Sequence, residues 1–433
     1  MKTFQLYNHQ KEALAKTEGK NRVAYYLDMG LGKTFVGSEK LEMFENRVNL
    51  IICQKSKIDD WFNHFCKYYQ DEGYSFLVLT NKLELEYFLE MATKVDASLK
   101  LVGIINYELA WRRKDLLNLK DFSLMLDESS MIQNESAKRS KFVLKLAPKN
   151  VILLSGTPTA GKYENLYTQI QLLGWNISKE LYWKQYIETE WVEDDGFFRK
   201  VIVGYKNVER LKAKLAEHGA IFMKTDDAGI ELPERVKIPV NVPTTKEYRQ
   251  FMKKRVITID GKELIGDTAL TKRLYARMLC GQYNKDKLEA FKDLAESTED
   301  RLIVFYNFTE EMRLMQEIAA ELGKPTSIVS GEEKNLDNYE NCNNSITFVQ
   351  YQAGAMGLNL QKANKTIYFT LPQSSELFDQ SHSRTHRIGQ EHRCFYYYLM
   401  CVDSVEEDIL DTLNMRKDYT DELFKKYEKR KTA

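Results

Sequence analysis

The sequence predicts an α/β protein of two lobes, each a parallel sheet flanked by helices. Three observations carry that expectation. At 433 residues the chain exceeds what one hydrophobic core ordinarily organises. Short β-rich runs alternate with helical stretches in two separate blocks, the pattern of βαβ units. Near the start an apolar run, Ala24-Tyr25-Tyr26-Leu27, breaks into the turn Asp28-Met29-Gly30-Leu31-Gly32 before Lys33-Thr34. Parallel sheets take their ligands at the C-terminal ends of their strands, and this turn follows such an end.

The turn reads as a phosphate-binding loop. Gly30 and Gly32 let the backbone bend so that its N–H groups face an anion, and a helix expected over 35–44 adds positive potential at its N-terminus. Lys33 would reach the β- and γ-phosphates of a nucleotide, and Thr34 would hold Mg²⁺. The strict pattern G-x-x-x-x-G-K-[ST] needs glycine where Leu27 stands, so this stretch alone leaves a plain surface turn open.

Residues 1–20 precede it, with Leu6, Ala13 and Leu14 at helical spacing and Gln10 between them. After it, strands are expected at 48–53, 76–79, 101–105, 122–126 and 151–154. The strand at 122–126 ends in Asp127-Glu128. Nucleotide hydrolysis needs such a pair, Asp127 to hold the metal ion and Glu128 to orient or deprotonate the attacking water. Adjacent acids after a strand also serve as helix N-terminal charges. The phosphate loop upstream is what joins them into one reading. The strand at 151–154 runs into Ser155-Gly156-Thr157-Pro158.

From about 160 to 232 the alternation breaks. Helical segments at 163–173 and 209–217 flank a hairpin over 188–203 that turns at Asp195-Gly196, and the region reads as an insertion in the first lobe. Leu232-Pro233 through Pro243 reads as a connection, which sets the lobes at 1–235 and 236–433. A second, helical insertion with a small hairpin at Asp260-Gly261 occupies about 244–296. Strands are expected again at 302–305, 326–329, 346–350, 366–369 and 394–399. Arg384 and Arg387 fall on an expected helix end. A pair three apart fits a solvated face; turned toward the phosphate loop, it would supply arginine fingers to the γ-phosphate.

Composition narrows the class. Hydrophobic residues make up 43% and charged residues 29%, as in a soluble globular protein. Lys plus Arg, 63, equals Asp plus Glu, 63, which argues against a general polycation and leaves room for a local basic groove. The cysteines at 53, 66, 280, 342, 394 and 401 form no C-x-x-C pair and read as reduced thiols. The N-terminus lacks a signal-peptide core and no apolar run reaches membrane-spanning length, so a cytoplasmic protein with no membrane partner is expected.

Taken together these residues resemble the Swi/Snf branch of superfamily-two helicase-like ATPases, over nearly the whole chain. Leu6-Tyr7-Asn8-His9-Gln10 is similar to its Gln motif, which implies that Gln10 reads adenine. Asp28 to Thr34 resembles E-M-G-L-G-K-T, a form that does not require glycine at Leu27. Ile51 to Ser56 with Trp61, and Ile104 to Glu108, resemble the C-P-K-S-x-x-x-x-W and T-T-Y-E segments. Asp127-Glu128-Ser129-Ser130 stands where the family has D-E-A-H, with Asn134 beyond. Ser155 and Thr157 belong to the stretch resembling the coupling motif. Gln352 to Leu360, with Gly357, resembles A-G-G-x-G-L-N-L, and Arg384 to Gln390 reads R-x-H-R-I-G-Q, the mark of this branch. Ser404 to Leu410 fits its V-E-E-x-I-L. The departures are Gln54 for proline, Ala355 for glycine, and Ser129-Ser130 for Ala-His, the last putting coupling through that position in doubt.

The resemblance implies two RecA-like lobes and an ATP-dependent double-stranded DNA translocase. ATP and Mg²⁺ would lie between Lys33, Thr34, Asp127 and Glu128 on one side and Arg384 and Arg387 on the other, with Gly357 also on the nucleotide. Duplex DNA would be held by its phosphates, with Lys55, Asn106, Asn307 and Asn359 as candidates, little sequence preference and strong salt dependence. A monomeric motor of prokaryotic or viral origin, bare of accessory modules and serving a nuclease or a replication or recombination protein, is expected. Two other readings stay open: a strand-separating DNA or RNA helicase, and a nucleotide-dependent clamp that recruits a nuclease or another DNA-processing partner.

Overall fold

Strands covered on both faces must be apolar almost throughout, and the central strands of both sheets are. The computed structural model describes residues 4–70, 73–94, 99–194, 197–354 and 358–424. The chain divides into two units, Met1–Ile230 with Asp418–Ala433, and Glu231–Lys417.

In the first unit the strands are β1 (Arg22–Leu27), β2 (Val48–Cys53), β3 (Tyr74–Val78), β4 (Lys100–Asn106), β5 (Phe122–Asp127), β6 (Asn150–Ser155), β7 (Ile187–Asp194), β8 (Phe197–Tyr205) and β9 (Ala220–Met223). Seven of them form one parallel sheet in the order β3-β4-β2-β5-β6-β1-β9. Successive residues of β1 enter opposite apolar layers, Ala24 and Tyr26 one, Val23, Tyr25 and Leu27 the other. Strands β7 and β8 pair with each other in an antiparallel hairpin outside that sheet. Its expected turn, Asp195-Gly196, lies outside the described residues.

The insertion expected over 160–232 is corrected at its end. Ala220–Met223 is a strand of the main sheet, parallel to β1. Four residues are too few to show a period, and only the edge left by β1 gives them a partner.

The second unit contains β10 (Arg235–Val242), β11 (Val256–Ile259), β12 (Lys262–Ile265), β13 (Leu302–Tyr306), β14 (Thr326–Val329), β15 (Lys334–Asn335), β16 (Ile346–Gln350), β17 (Lys365–Tyr368) and β18 (Cys394–Cys401). Its sheet runs β10-β18-β17-β13-β16-β14-β15 and is parallel except for β15, antiparallel to β14 at one edge. The segment expected to be a connection is therefore strand β10, which pairs with β18 from Arg235 to Val242. Pro239 disguises it, yet proline is tolerated on an edge strand, where one row of N–H groups needs no partner. The hairpin β11–β12 turns as expected, with Asp260 (φ 50°) and Gly261 (φ 74°) both left-handed.

The expected lobe 236–433 is corrected at its far end, since residues from Asp418 belong with the first unit. Tyr419 packs edge-on against Tyr205 with centroids 4.7 Å apart, and its carbonyl accepts from the Tyr163 hydroxyl at 2.8 Å. Asp421 pairs with Lys224 at 2.8 Å and Glu422 with Lys212 at 3.6 Å. Among the described residues no helix is long and apolar enough to cross a membrane.

Candidate active site

Register gathers the site residues of the first unit. Tyr26 lies beside Ser155, Cys53 beside Asn106 and Asp127 beside Leu154, so the segments leaving β1, β2, β4, β5 and β6 emerge at one edge of the sheet. Lys33, Lys55, Asn106, Asp127, Glu128, Ser155 and Thr157 are all brought there.

The loop after β1 has Gly30 at φ 90° and Gly32 at φ 73°, the left-handed region that glycine enters without strain. Gly32 is the N-cap of the helix Lys33–Met43, so Lys33 and Thr34 open that helix, and no side chain caps it. A Cβ on Gly32 would also collide with Gln10 Nε2. Gln10, buried in the helix Asn8–Ala15, donates from Nε2 to the Leu31 carbonyl at 3.2 Å and accepts at Oε1 from the Tyr7 N–H at 2.9 Å. It braces the loop from behind. Lys33 Nζ donates to the Leu27 carbonyl at 2.9 Å and the Asp28 carbonyl at 3.3 Å. A Cβ on Gly156 would come within 3.2 Å of that ammonium, so glycine leaves room for Lys33 beside the coupling stretch. Asp28 accepts from the N–H and hydroxyl of Thr225 at 3.0 and 3.3 Å, and burial raises its pKa.

Asp127 ends β5. The indole N–H of Trp61, from the helix Ile58–Tyr68, donates to its Oδ2 at 2.8 Å. Burial raises the Asp127 pKa, and the Trp61 bond opposes that. Glu128 sits at φ 55°, a left-handed conformation that costs a residue with a Cβ about 1 kcal/mol or more. The Tyr107 hydroxyl secures that turn by donating to the carbonyls of Asp127 (2.9 Å) and Glu128 (3.3 Å). Glu128 Oε1 accepts from the hydroxyls of Ser155 at 2.6 Å and Ser130 at 3.1 Å, and Ser155 Oγ accepts from the Thr157 N–H at 3.1 Å. The carboxylate and the stretch 155–157, expected to act in coupling, thus form one hydrogen-bonded chain. Ser129, the other departure, donates to Gln169 Oε1 at 2.8 Å, which also accepts from Tyr26 OH at 3.0 Å; Gln169 Nε2 donates to the Pro158 carbonyl at 2.8 Å.

These residues fit a magnesium nucleotide. The left-handed Gly32 and the open side of Gly156 shape a cradle around Lys33, while the Thr34 hydroxyl and the Asp127 carboxylate are the hard oxygen donors that Mg²⁺ prefers. Of the nucleic-acid candidates, Lys55 is exposed after β2, and Asn106 is buried at the end of β4 with Nδ2 donating to Glu108 at 3.1 Å.

In the second unit Arg384 and Arg387 follow the helix Ser375–His382 rather than lying on it. Arg387 donates to Asn359 Oδ1 and, at 3.4 Å, to the Leu358 carbonyl, so an expected catalytic arginine and an expected nucleic-acid asparagine touch. Burial lowers the Arg387 pKa. Gln390 Nε2 donates to the carbonyls of Gln361, Ala363 and Thr385 at 3.0–3.1 Å, stitching the segment to the loop after Leu358. Asn307 turns its amide nitrogen inward, to Thr370 Oγ1 at 2.9 Å and to the carbonyls of Thr370 and Leu371 at 3.1 Å, bracing the ends of β13 and β17. Gly357 lies outside the described residues.

Sequence reading gave no individual role to Trp61, Tyr107, Gln169 or Thr225. Trp61 and Tyr107 stand out only as members of motifs. Gln169 and Thr225 carry no local signal, because their partners are distant in the chain.

Residues 18–290 match the family described as SNF2-related domain, and residues 286–389 the helicase conserved C-terminal domain. A Mus musculus protein named SWI/SNF-related matrix-associated actin-dependent regulator of chromatin subfamily A member 1 is 21% identical, over 90% of this chain and 40% of its own length. The Drosophila melanogaster subfamily A-like protein 1 is 22% identical, over 92% of this chain and 53% of its own. The chain thus spans about half or less of these relatives. A solved Sulfolobus solfataricus SWI2/SNF2 ATPase core in complex with dsDNA resembles it over 97% of this chain and 93% of that one, at 19% identity and a TM-score of 0.44.

Proposed function

The chain belongs to the SNF2-related family, and from that premise we propose that it is a DNA-dependent ATPase that translocates on double-stranded DNA. The observation that carries the reading is the edge of the first sheet, where Lys33, Asp127 and Glu128 converge and Glu128 is tied through Ser155 to Thr157.

In this reading Lys33 holds the β- and γ-phosphates, Thr34 and Asp127 hold the ion, and Gln10 adds a contact to adenine while bracing the loop. ATP with Mg²⁺, when bound, supplies the γ-phosphoryl group and an ion that neutralises its charge. Glu128 orients the attacking water and takes its proton, with Ser155 and Ser130 fixing the carboxylate oxygen that does so. Arg384 and Arg387 stabilise charge developing on the transferred group, with Gly357 on the nucleotide as well. Because Ser155 links Glu128 to the Thr157 backbone, a change at the carboxylate is felt in the coupling stretch. Lys55, Asn106 and Asn359 contact DNA phosphates, while Asn307 acts mainly as a brace. A cytoplasmic, monomeric protein serving a nuclease or a replication or recombination protein completes the proposal.

Steady-state ATP hydrolysis without nucleic acid and with duplex DNA, single-stranded DNA or RNA tests it, with Lys33→Ala as the blank. Strong stimulation by duplex, falling steeply with salt, is expected. Stimulation by single strands or RNA alone would replace the translocase with a strand-separating helicase; no stimulation would leave the recruiting clamp.

A further inference from the structure

The hairpin β7–β8 departs from the two-sheet plan and carries the most exposed aromatic side chains among the described residues of the first unit. Its register places Thr189 opposite Ile202, Trp191 opposite Lys200 and Glu193 opposite Phe198, so these six side chains share one face of the ribbon. Trp191 and Phe198 are 68% and 69% exposed there. Large aromatic rings left in water on a two-stranded ribbon add nothing to a core. At the base of that face opens a cavity of about 520 Å³, lined by Lys179, Lys184, Lys200, Lys206 and Trp183, with Glu180 as its one acid. Thr189 and Lys200 belong to both the face and the cavity wall, so the two are continuous. Lys179 is paired with Glu135 and lies over the Trp183 ring at 5.9 Å. Lys184, Lys200 and Lys206 have no carboxylate partner among the described residues. Glu188 and Glu190 point to the opposite face, which also carries Arg199. On the ribbon itself the aromatic face carries one cation, Lys200, and one acid, Glu193; the cationic excess lies in the adjoining cavity, with four lysines to one acid.

We infer that this face binds single-stranded nucleic acid, with Trp191 and Phe198 stacking on unpaired bases and Lys184, Lys200 and Lys206 meeting the phosphates. Charge complementarity selects a polyanion. The exposed rings select one with flat faces to offer, which an acidic peptide lacks and a duplex keeps stacked inside itself. The inference rests on and deepens the DNA-motor reading by giving it a contact for an unpaired strand on a hairpin outside the main sheet.

The test pairs two measurements on the whole chain: anisotropy of a labelled dT oligonucleotide titrated with nucleotide-free protein, and duplex-stimulated ATP hydrolysis. Trp191→Ala/Phe198→Ala is expected to weaken dT binding by about tenfold or more while hydrolysis with duplex stays within about twofold. Trp191→Phe, which keeps a stacking ring, is expected to bind dT as wild type does. Lys184→Ala/Lys200→Ala should reduce the slope of log affinity against log salt by about 1.4, two phosphate contacts' worth on a single strand. Unchanged dT affinity in the aromatic variant overturns the inference. Polyglutamate displacing dT as well as unlabelled dT does overturns it in favour of an acidic-peptide surface. A loss of duplex-stimulated hydrolysis in parallel with the loss of dT binding in the aromatic variant overturns base stacking in favour of backbone contact alone. Absence of duplex-stimulated hydrolysis in the wild type would instead strike the motor reading, and the dT titration would still be decided on its own.

Discussion

Glu128 lies just past β5 of the first sheet, and Glu311 lies just past β13 of the second. Both are gathered by hydrogen bonds near strand ends. Glu128 takes hydroxyls from Ser155 and Ser130. Glu311 Oε2 takes the N–H groups of Asn307 and Phe308 at 3.0 and 3.2 Å and the Thr370 hydroxyl at 2.9 Å. The difference is burial. Glu128 keeps access to solvent at the sheet edge, whereas Glu311 is fully buried, with its other oxygen against Gly281. Burial pushes the Glu311 pKa up to about 7, the three donors only partly opposing it. The second unit also seals in a whole ion pair, Lys287 to Glu406 at 2.6 Å, exposed by 0% and 2%. An acid on an open edge is left within reach of a ligand, and an acid closed into the interior holds neighbouring segments together.

The comparison breaks most visibly if Glu128 is not the working acid. Glu128→Gln is expected to cut turnover by about 10³–10⁴-fold while nucleotide affinity changes little, read from single-turnover hydrolysis beside equilibrium binding. A variant turning over near the wild-type rate would remove the acid from that role.

The sealed pair should behave in the opposite way. Lys287→Met strands Glu406 as an uncompensated buried charge and should cost about 3–5 kcal/mol of stability in urea unfolding. Lys287→Met/Glu406→Leu should recover most of that loss. A single variant as stable as wild type would mean that water reaches the pair.

Glu311 sharpens the contrast through pH. Its folded pKa is raised from 4.5 to about 7, so the folded state holds the proton more tightly than the unfolded chain. The resulting stability, about 3 kcal/mol for that shift, is fully present below about pH 4.5 and is lost as pH rises through about 7. Urea unfolding at several pH values should therefore show a fall over that window that Glu311→Gln lacks. Matching pH profiles for the two proteins would show that the carboxyl is already ionised.

The smallest effect concerns how the open edge is kept in order. Trp61→Phe keeps the ring and removes the bond to Asp127 Oδ2, a charge-assisted bond of about 1.5 kcal/mol or more. The Mg²⁺ concentration needed for half-maximal binding of a fluorescent nucleotide should rise about tenfold, with little change in the binding measured without metal. No shift in metal dependence would reduce Trp61 to packing.

Much of the fold and the site is legible in the sequence. Ten expected strands are present, because continuous apolar runs bounded by turns are local features, and the candidate site residues of the first unit other than Gln10 follow on such runs. The three strands that escape notice are all edges. Ala220–Met223 and Lys334–Asn335 are too short to show a period, and Arg235–Val242 is interrupted by Pro239 and alternates with exposed charge.

By itself the sequence determined which residues stand at strand ends, where glycine must bend the chain, and which acids and bases recur at family spacing, since each depends on near neighbours along the chain. Tertiary structure decided the rest. Gln10 supports the loop 21 residues away, Trp61 reaches Asp127 across 66 residues, and Tyr163 claims Tyr419 across 256. It also decided that Glu128 stays accessible while Glu311 does not. Burial and hydrogen-bond partnership are set by which distant segments a sheet brings side by side, and no local pattern encodes that.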